Sequence, residues 1–360
     1  MQLWNTYSRE EMVERLREKQ VKFVTISFYK YHHIENPNSF RDQFFLALNA
    51  LEVLGRIYVS KEGINAQFSV PTERLVEFRK ALDQIDWLVA IRLNFAVEES
   101  TEFPFLKLKI KVRNKILADG LNDETFDVTN KGKHLNAQEF NSLTDDPNTV
   151  LVDFRNHYES EVGHFIGAIT PDVDTFRDSL PEIEEKILKG MENKNIVMYC
   201  TGGIRCEKAS AWFKHRGFKN VHQLEGGIIK YAHDVEQLGI ENKFIGKNFV
   251  FDERRAEKIS DDIIAQCHQC GEPFDVHTNC ANNACHLLFI QCESCKEKLD
   301  NCCSEECQTV NALPQEEQKE MRKNQYNSNA IFKKGRSEKL KFKKNSSKLS
   351  SKLILKQKLC

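Results

Sequence analysis

The residues best suited to chemistry are Cys200 and Arg205, set in the run Cys200-Thr201-Gly202-Gly203-Ile204-Arg205-Cys206. The preceding Asn195-Ile196-Val197-Met198-Tyr199 is apolar, rich in β-branched residues, and reads as a strand. Beyond the loop, Ile204, Ala209, Trp212 and Phe213 recur at helical spacing. A cysteine between a strand end and a helix start meets inward-pointing loop amides and positive helix-terminal potential, and the glycines permit close backbone approach. Such surroundings lower a thiol pKa from about 8.5 to roughly 3.5–7.5, which makes a nucleophile at neutral pH. A cysteine ending an apolar strand is often only a small buried hydrophobe. A packed cysteine, however, needs neither a permissive Gly-Gly loop nor a nearby arginine, so Cys200 is the expected nucleophile. Arg205 closes the loop, where it can hold an anion such as a phosphate. Thr201, Gly202, Gly203 and Ile204 are the loop itself. Cys206, in the first helical turn, reads either as a resolving thiol for Cys200 or as a packed helix cysteine.

A second constellation lies near the C-terminus. Nine of the chain's 12 cysteines fall between 267 and 307: Cys267, Cys270, Cys280, Cys285, Cys292, Cys295, Cys302, Cys303 and Cys307. Two Cys-x2-Cys knuckles plus the further thiolates suffice for two tetrahedral zinc sites. One pairing is Cys267, Cys270, Cys292 and Cys295, with Cys280, Cys285, Cys302 or Cys303, and Cys307 at the second. His268, His277 or His286 is an alternative corner, and iron–sulfur ligation suits the same thiolates. Few long apolar runs occur here, so a structural metal is expected to hold the module folded.

A third candidate is Lys107-Leu108-Lys109-Ile110-Lys111-Val112-Arg113-Asn114-Lys115. Leu106, Leu108, Ile110 and Val112 share one face of a strand, and Lys107, Lys109, Lys111, Arg113 and Lys115 the other. At about 6.6 Å between same-face residues, that row approaches the phosphate spacing of an RNA strand. An edge strand protected by lysine is the other reading. Five basic residues without an acid, in an acidic body, favour RNA contact.

These residues need scaffolds. Helical spacing at 8–19, a strand from Val21, a helix face of Phe40, Phe44, Leu48 and Leu51, and two strands about a Lys61-Glu62-Gly63 turn come first. A second helix face (Leu75, Phe78, Leu82, Ile85) and a returning strand at Leu88–Leu93 complete a βαββαβ order, the ferredoxin-like or acylphosphatase-like pattern. Expected boundaries are 1–120 for this domain, 121–135 for a turn-rich linker, 136–245 for the domain carrying Cys200, 246–312 for the cysteine-rich module and 313–360 for a tail. The tail is basic and expected to be disordered: residues 319–358 hold 14 Lys/Arg against 2 Glu, although the whole chain is near neutral at −1. With 40% hydrophobic and 29% charged residues over 360 positions, the chain supports several packed cores. No apolar run approaches a membrane span, and the N-terminus does not read as a signal peptide. Cytoplasmic location, with the cysteines as thiols or metal ligands, is the expectation.

Cys200-Thr201-Gly202-Gly203-Ile204-Arg205 resembles the active-site loop of rhodanese-type sulfurtransferases, whose first cysteine carries a persulfide. Val150-Leu151-Val152-Asp153-Phe154-Arg155, Gly163-His164-Phe165-Ile166-Gly167 and Leu224-Glu225-Gly226-Gly227-Ile228 agree in order with that family, which implies a parallel-sheet α/β domain. Asp153 and Arg155 then read as supports that brace the loop through charged hydrogen bonds, with a surface ion pair as the alternative. Related dual-specificity phosphatases place five residues between cysteine and arginine; here four intervene, which disfavours phosphatase chemistry. The whole order, with Lys61-Glu62-Gly63-Ile64-Asn65 and Phe249-Val250-Phe251-Asp252-Glu253-Arg254, is similar to the TrhO-type tRNA uridine hydroxylases. That resemblance implies oxygen-dependent C5 hydroxylation of the wobble uridine of tRNA, with molecular oxygen as co-substrate and Cys200 required. A sulfurtransferase passing a persulfide from a small sulfur donor is the alternative. A zinc-dependent RNA-binding protein with an inactive rhodanese domain is a third reading, opposed by the intact Cys200 and Arg205.

Overall fold

Strict alternation of apolar and polar side chains builds the N-terminal sheet. The computed structural model describes residues 9–19, 21–98, 103–123, 125–323 and 334–342. In chain order the first elements are α1 (Arg9–Lys19), β1 (Phe23–Tyr31), α2 (Pro37–Ala50), β2 (Leu54–Ser60), β3 (Gly63–Pro71), α3 (Leu75–Asp83), β4 (Asn94–Phe95) and β5 (Leu108–Val112). Next come β6 (Lys133–Leu135), α4 (Ala137–Thr144), β7 (Thr149–Asp153), α5 (His157–Glu161), β8 (Gly163–Phe165), α6 (Phe176–Glu182), β9 (Asn195–Tyr199), α7 (Ile204–His215), β10 (Asn220–Leu224) and α8 (Gly227–Leu238). The chain continues as β11 (Phe244–Phe249), β12 (Ala256–Lys258), β13 (His277–Asn279), β14 (Leu288–Ile290), α9 (Glu293–Lys298), α10 (Glu305–Asn311) and α11 (Gln315–Lys323). No helix among the described residues is long and apolar enough to cross a membrane.

Two compact units result. The first holds residues 1–149, 192–241 and 250–257; the second holds 150–191, 242–249 and 258–360. The stretch expected as one domain at 136–245 therefore contributes to both.

In the first unit a five-stranded sheet runs β4-β1-β3-β2-β5, with β2 and β5 parallel and the other pairs antiparallel. Ile26, Phe28, Ile57, Val59, Ile64, Ala66 and Phe68 point to one face and share a core with Phe44, Leu48, Phe78 and Leu82 of α2 and α3. Burying each large apolar side chain of that set contributes about 1.5–3 kcal/mol. The opposite face follows from the register: Tyr29 pairs with Asn65, Asn65 with Tyr58 and Tyr58 with Lys111, while Arg56 pairs with Lys109. One face is thus core and the other a polar, aromatic and cationic surface. The expected strand at Leu88–Leu93 is corrected. Asp86–Leu88 forms a short 3-10 turn, and the edge strand is β4. Asp83 caps the turn by accepting the Ala90 N–H at 3.0 Å, which delays the return of the chain to the sheet.

The same unit carries a parallel sheet, β6-β10-β9, with buried Leu135, Val221, Leu224, Ile196, Val197 and Met198. The parallel arrangement agrees with expectation. The linker is shorter than expected, since Lys133–Leu135 already pairs with β10.

In the second unit β8 pairs antiparallel with β11, and β13 with β14 in the cysteine-rich module. The tail departs from the disorder expected of it where it is described. Residues 315–323 form α11, and Leu340 is buried in a cluster with Cys280, Leu287 and Phe289. The Phe342 N–H donates to the His268 carbonyl at 3.0 Å. A lysine-rich composition did not prevent packing, because Leu340 supplies one apolar anchor. Residues 324–333 and 343–360, including Phe332, lie outside the described residues.

Candidate active site and metal centres

Strand β9 ends at Tyr199, and Cys200 follows, fully buried. The chain then turns through Gly203, whose φ of +104° favours glycine, into α7. The Gly203 N–H donates to Cys200 Sγ at 3.1 Å. From below, the start of α8 holds the loop: the Ile228 and Ile229 N–H groups donate to the Cys200 and Thr201 carbonyls at 3.0 and 3.2 Å.

Burial alone would push the Cys200 thiol up. It is outweighed by a hydrogen bond from the Cys206 thiol, the Arg205 charge, and the Cys206 and Gly203 N–H groups, which bring the pKa down to about 6. Cys200 is thus a thiolate at neutral pH. Cys206 is not merely packed, since its side chain and backbone both reach the Cys200 sulfur. Arg205, also buried, donates from Nη2 to Thr201 Oγ1 at 3.2 Å and lies 5.9 Å from the Phe251 ring.

Residues that sequence reasoning missed surround this loop within the first unit. Tyr29 lies over it: a Cβ on Gly203 would come within 2.8 Å of the Tyr29 hydroxyl. Burial, then the neighbouring Glu207 and Cys200 charges, hold that phenol well above its usual pKa, so it stays protonated. Asn94 Nδ2 donates to the Gly202 carbonyl at 3.4 Å. Glu207, just past Cys206, accepts from His134 Nε2 at 2.9 Å and pairs with Lys131. Tyr29, Arg92, Asn94, Lys131, His134 and Glu207 line a cavity of ≈ 280 Å³. Lys208, one residue further along α7, is buried and donates to Glu62 at 2.8 Å and Asp119 at 2.6 Å. A signal existed for the tyrosines: Tyr29 and Tyr31 alternate with the core residues of β1 and so had to face away from the core.

In the second unit Asp153 and Arg155 are fully buried, not a surface pair. Arg155 Nη2 donates to Asp153 Oδ2 at 2.6 Å and to the Gly163 carbonyl at 2.6 Å. That fork-to-carboxylate geometry ties the end of β7 to the start of β8.

The cationic row is only partly a row. Lys109 and Lys111 lie within β5, whereas Lys107, Arg113 and Lys115 fall outside it. Lys115, expected in the RNA-binding row, is engaged within the chain: its Nζ donates to Asp119 and to the Leu121 carbonyl, both at 2.6 Å. Lys107, Lys109 and Arg113 are exposed, and Arg56 joins them from β2. Lys111, then desolvation, then Arg56 and Arg113 lower the Lys109 pKa, as expected where like charges crowd.

The cysteines sort into two groups of four, Cys267, Cys270, Cys292 and Cys295, and Cys280, Cys285, Cys303 and Cys307. Within each group the ligand atoms lie within 4.8 Å of one another. The Cys270–Cys292 and Cys285–Cys303 sulfurs are 3.6 Å apart, and Cys303–Cys307 3.7 Å. Four sulfurs at about 2.3 Å from one zinc would stand about 3.8 Å apart, so the donor sets fit a tetrahedral ion. Cys302 is corrected: it belongs to neither group, and its carbonyl instead accepts from Gln269 and Gln291 at 3.0 and 3.2 Å. Nor do the histidines complete a corner. His268 bridges Glu161 and the Ile290 N–H, His286 bonds Asn279, and His277 packs against Tyr158 and Phe249.

Known families divide the chain in three. Family models match as a UPF0176 acylphosphatase-like domain at residues 23–116, a rhodanese-like domain at 136–234 and a rhodanase C-terminal domain at 245–308. A Leptospira interrogans protein named tRNA uridine(34) hydroxylase is 54% identical, over 93% of this chain and 90% of its own. Proteins of the same name from Enterobacter and Yersinia pestis are 50% and 52% identical over 93% of this chain, covering 95% and 94% of theirs.

Proposed function

This chain belongs to the tRNA uridine(34) hydroxylase family, and we propose that it hydroxylates C5 of the wobble uridine of tRNA, with dioxygen as co-substrate and Cys200 as nucleophile. The observation that carries this reading is a buried Cys200 whose pKa of about 6 makes it a thiolate, held beside Arg205 and inward-facing amides. Uracil carbon C5 is not nucleophilic enough to meet dioxygen unaided. Addition of Cys200 Sγ to C6 breaks the C5–C6 π bond and leaves an enolate spread over C5 and O4. Arg205 and the loop amides stabilise that charge, and C5 becomes the carbon that dioxygen oxidises.

The exposed cations Arg56, Lys107, Lys109 and Arg113, with Lys111, form the surface we assign to the tRNA backbone. Zinc in the two four-cysteine groups would hold the C-terminal module folded. Acting on tRNA, the protein works in the cytoplasm.

Nucleoside mass spectrometry of tRNA made under 18O2, from deletion cells complemented with wild type or Cys200→Ser, tests the reading. Label in 5-hydroxyuridine, restored by wild type only, supports it; an unlabelled product, or one made by Cys200→Ser, sinks it. One observation favours a second reading: the four-residue gap between Cys200 and Arg205 is that of sulfur-transfer loops. If a thiolated nucleoside is lost on deletion instead, Cys200 carries a persulfide to tRNA.

A further inference from the structure

Hydroxylation by dioxygen leaves an accounting problem that Cys200 alone does not solve. One oxygen atom enters the base, and the other must take two electrons and two protons to become water. Neither a flavin fingerprint nor a nicotinamide motif occurs in the sequence to supply them. Two thiols can, because a dithiol gives up two electrons and two protons on forming a disulfide.

Cys206 is placed for this. Cys206 is the third residue of α7, whose N-cap Gly203 donates its N–H to Cys200 Sγ at 3.1 Å; the Cys206 thiol bonds the same sulfur, and both side chains are fully buried. Neither belongs to the metal-fitting groups. A base carried on Cys200 through C6 has C5 one bond further on, so the Cys206 sulfur would also neighbour an oxygen bound at C5. We infer that Cys206 is the internal reductant of the reaction, and that each turnover leaves a Cys200–Cys206 disulfide. This inference rests on the hydroxylase reading.

The steps balance. The C5 enolate and dioxygen form a C5 hydroperoxide after protonation. Cys206 sulfur attacks the distal oxygen, the O–O bond breaks, and the products are a C5 hydroxyl and a Cys206 sulfenic acid. Loss of the C5 proton expels Cys200 thiolate from C6 and restores the double bond, giving 5-hydroxyuridine. Cys200 thiolate then attacks the Cys206 sulfur, and the sulfenic hydroxide leaves as water. Uridine, dioxygen and two thiols become 5-hydroxyuridine, water and one disulfide. A small thiol reductant must reopen that disulfide before the next turnover.

The test uses the full-length protein, reduced anaerobically and freed of reductant, then mixed with air-saturated buffer and unmodified tRNA. Quenching with N-ethylmaleimide and trypsin cleavage after Arg205 leaves the disulfide as peptide 195–205 joined to peptide 206–208. The expected result is one cross-linked pair per 5-hydroxyuridine, a yield that stops at one product per chain, and resumed turnover on adding dithiothreitol. Cys206→Ser keeps a hydrogen-bond donor but cannot form the disulfide. It is expected to make no product above background without reductant, while Cys200 remains open to alkylation. Product without the cross-link in wild type, or reductant-free product from Cys206→Ser, overturns the inference and leaves the hydroxylase reading standing. Failure of wild type to make 5-hydroxyuridine under any condition removes the reading itself.

Discussion

A Cβ added at Gly227 would lie 2.4 Å from the Cys200 carbonyl oxygen, and the backbone there already has a φ of +66°. The first turn of α8 can therefore support the nucleophile loop only as glycine. Gly227→Ala forces both a strained backbone and a displaced loop, at a cost of about 1–3 kcal/mol. A lowered melting temperature and slower alkylation of Cys200 at pH 7 are expected together. Wild-type values for both would show that this contact does not set the loop.

The Cys200 thiolate gives a pH prediction with a definite sign. Only the thiolate alkylates, so the rate with iodoacetamide should be low below pH 6 and rise through an inflection near 6. Cys206→Ala removes the donor that most lowers this pKa, so its inflection should move toward alkaline pH. An unmoved inflection would mean that Arg205 and the loop amides suffice by themselves.

Charge reversal at Lys109 and Lys111 tests the surface assigned to tRNA. If both meet phosphates, Lys109→Glu/Lys111→Glu should weaken tRNA binding and make it less salt-dependent, the slope of log K against log salt falling by roughly 0.7–0.9 per lost contact. Cys200 alkylation without tRNA should not change. Lys115→Glu should act instead on stability, since that side chain is bonded to Asp119. Equal binding losses from β5 and from Lys115 would argue against a local contact surface.

How much of this was legible in the sequence follows from the range of the forces involved. The strand, glycine loop and helix about Cys200 are written in consecutive residues, and so is the alternation of β5. Contacts made where the chain turns back on itself were not legible, even across a few residues. Lys115 looked like one more cation until Asp119 folded back onto it, and Cys302 and Cys303 are indistinguishable until the chain path selects one. Asp83 capping Ala90 moved the edge strand from 88–93 to 94–95 in the same way. The tail misled for a different reason, because composition averages over Leu340, whose burial helps anchor its neighbours together with the Phe342 N–H bond to His268 and the Arg336–Asp174 pair.

The two four-cysteine groups predict two metal ions per chain, removable by chelation with loss of the C-terminal module's protection from protease. Cys303→Ser should lose one ion and Cys302→Ser neither, as measured by inductively coupled plasma mass spectrometry on purified protein. Two ions retained in Cys303→Ser would redraw the second site.

Lys208 joins α7, which begins beside the nucleophile loop, to the N-terminal domain through two carboxylates, Glu62 and Asp119. Its ammonium and the Asp119 carboxylate are almost wholly removed from water, at 2% and 1% exposure. Removing Lys208 leaves the buried Asp119 carboxylate with one cation, Lys115, where it had two. Lys208→Met should therefore lower unfolding stability at pH 7 by about 1–3 kcal/mol, the cost of removing one partner from a buried polar group that keeps others. Neutralising that under-compensated acid should recover part of the loss, so Lys208→Met/Asp119→Asn is expected to be less destabilised than the two single variants summed, by about 0.5–3 kcal/mol. Additive losses in urea unfolding would mean that Lys208 contributes through packing against the Tyr31 ring, 5.3 Å away, and not through its charge.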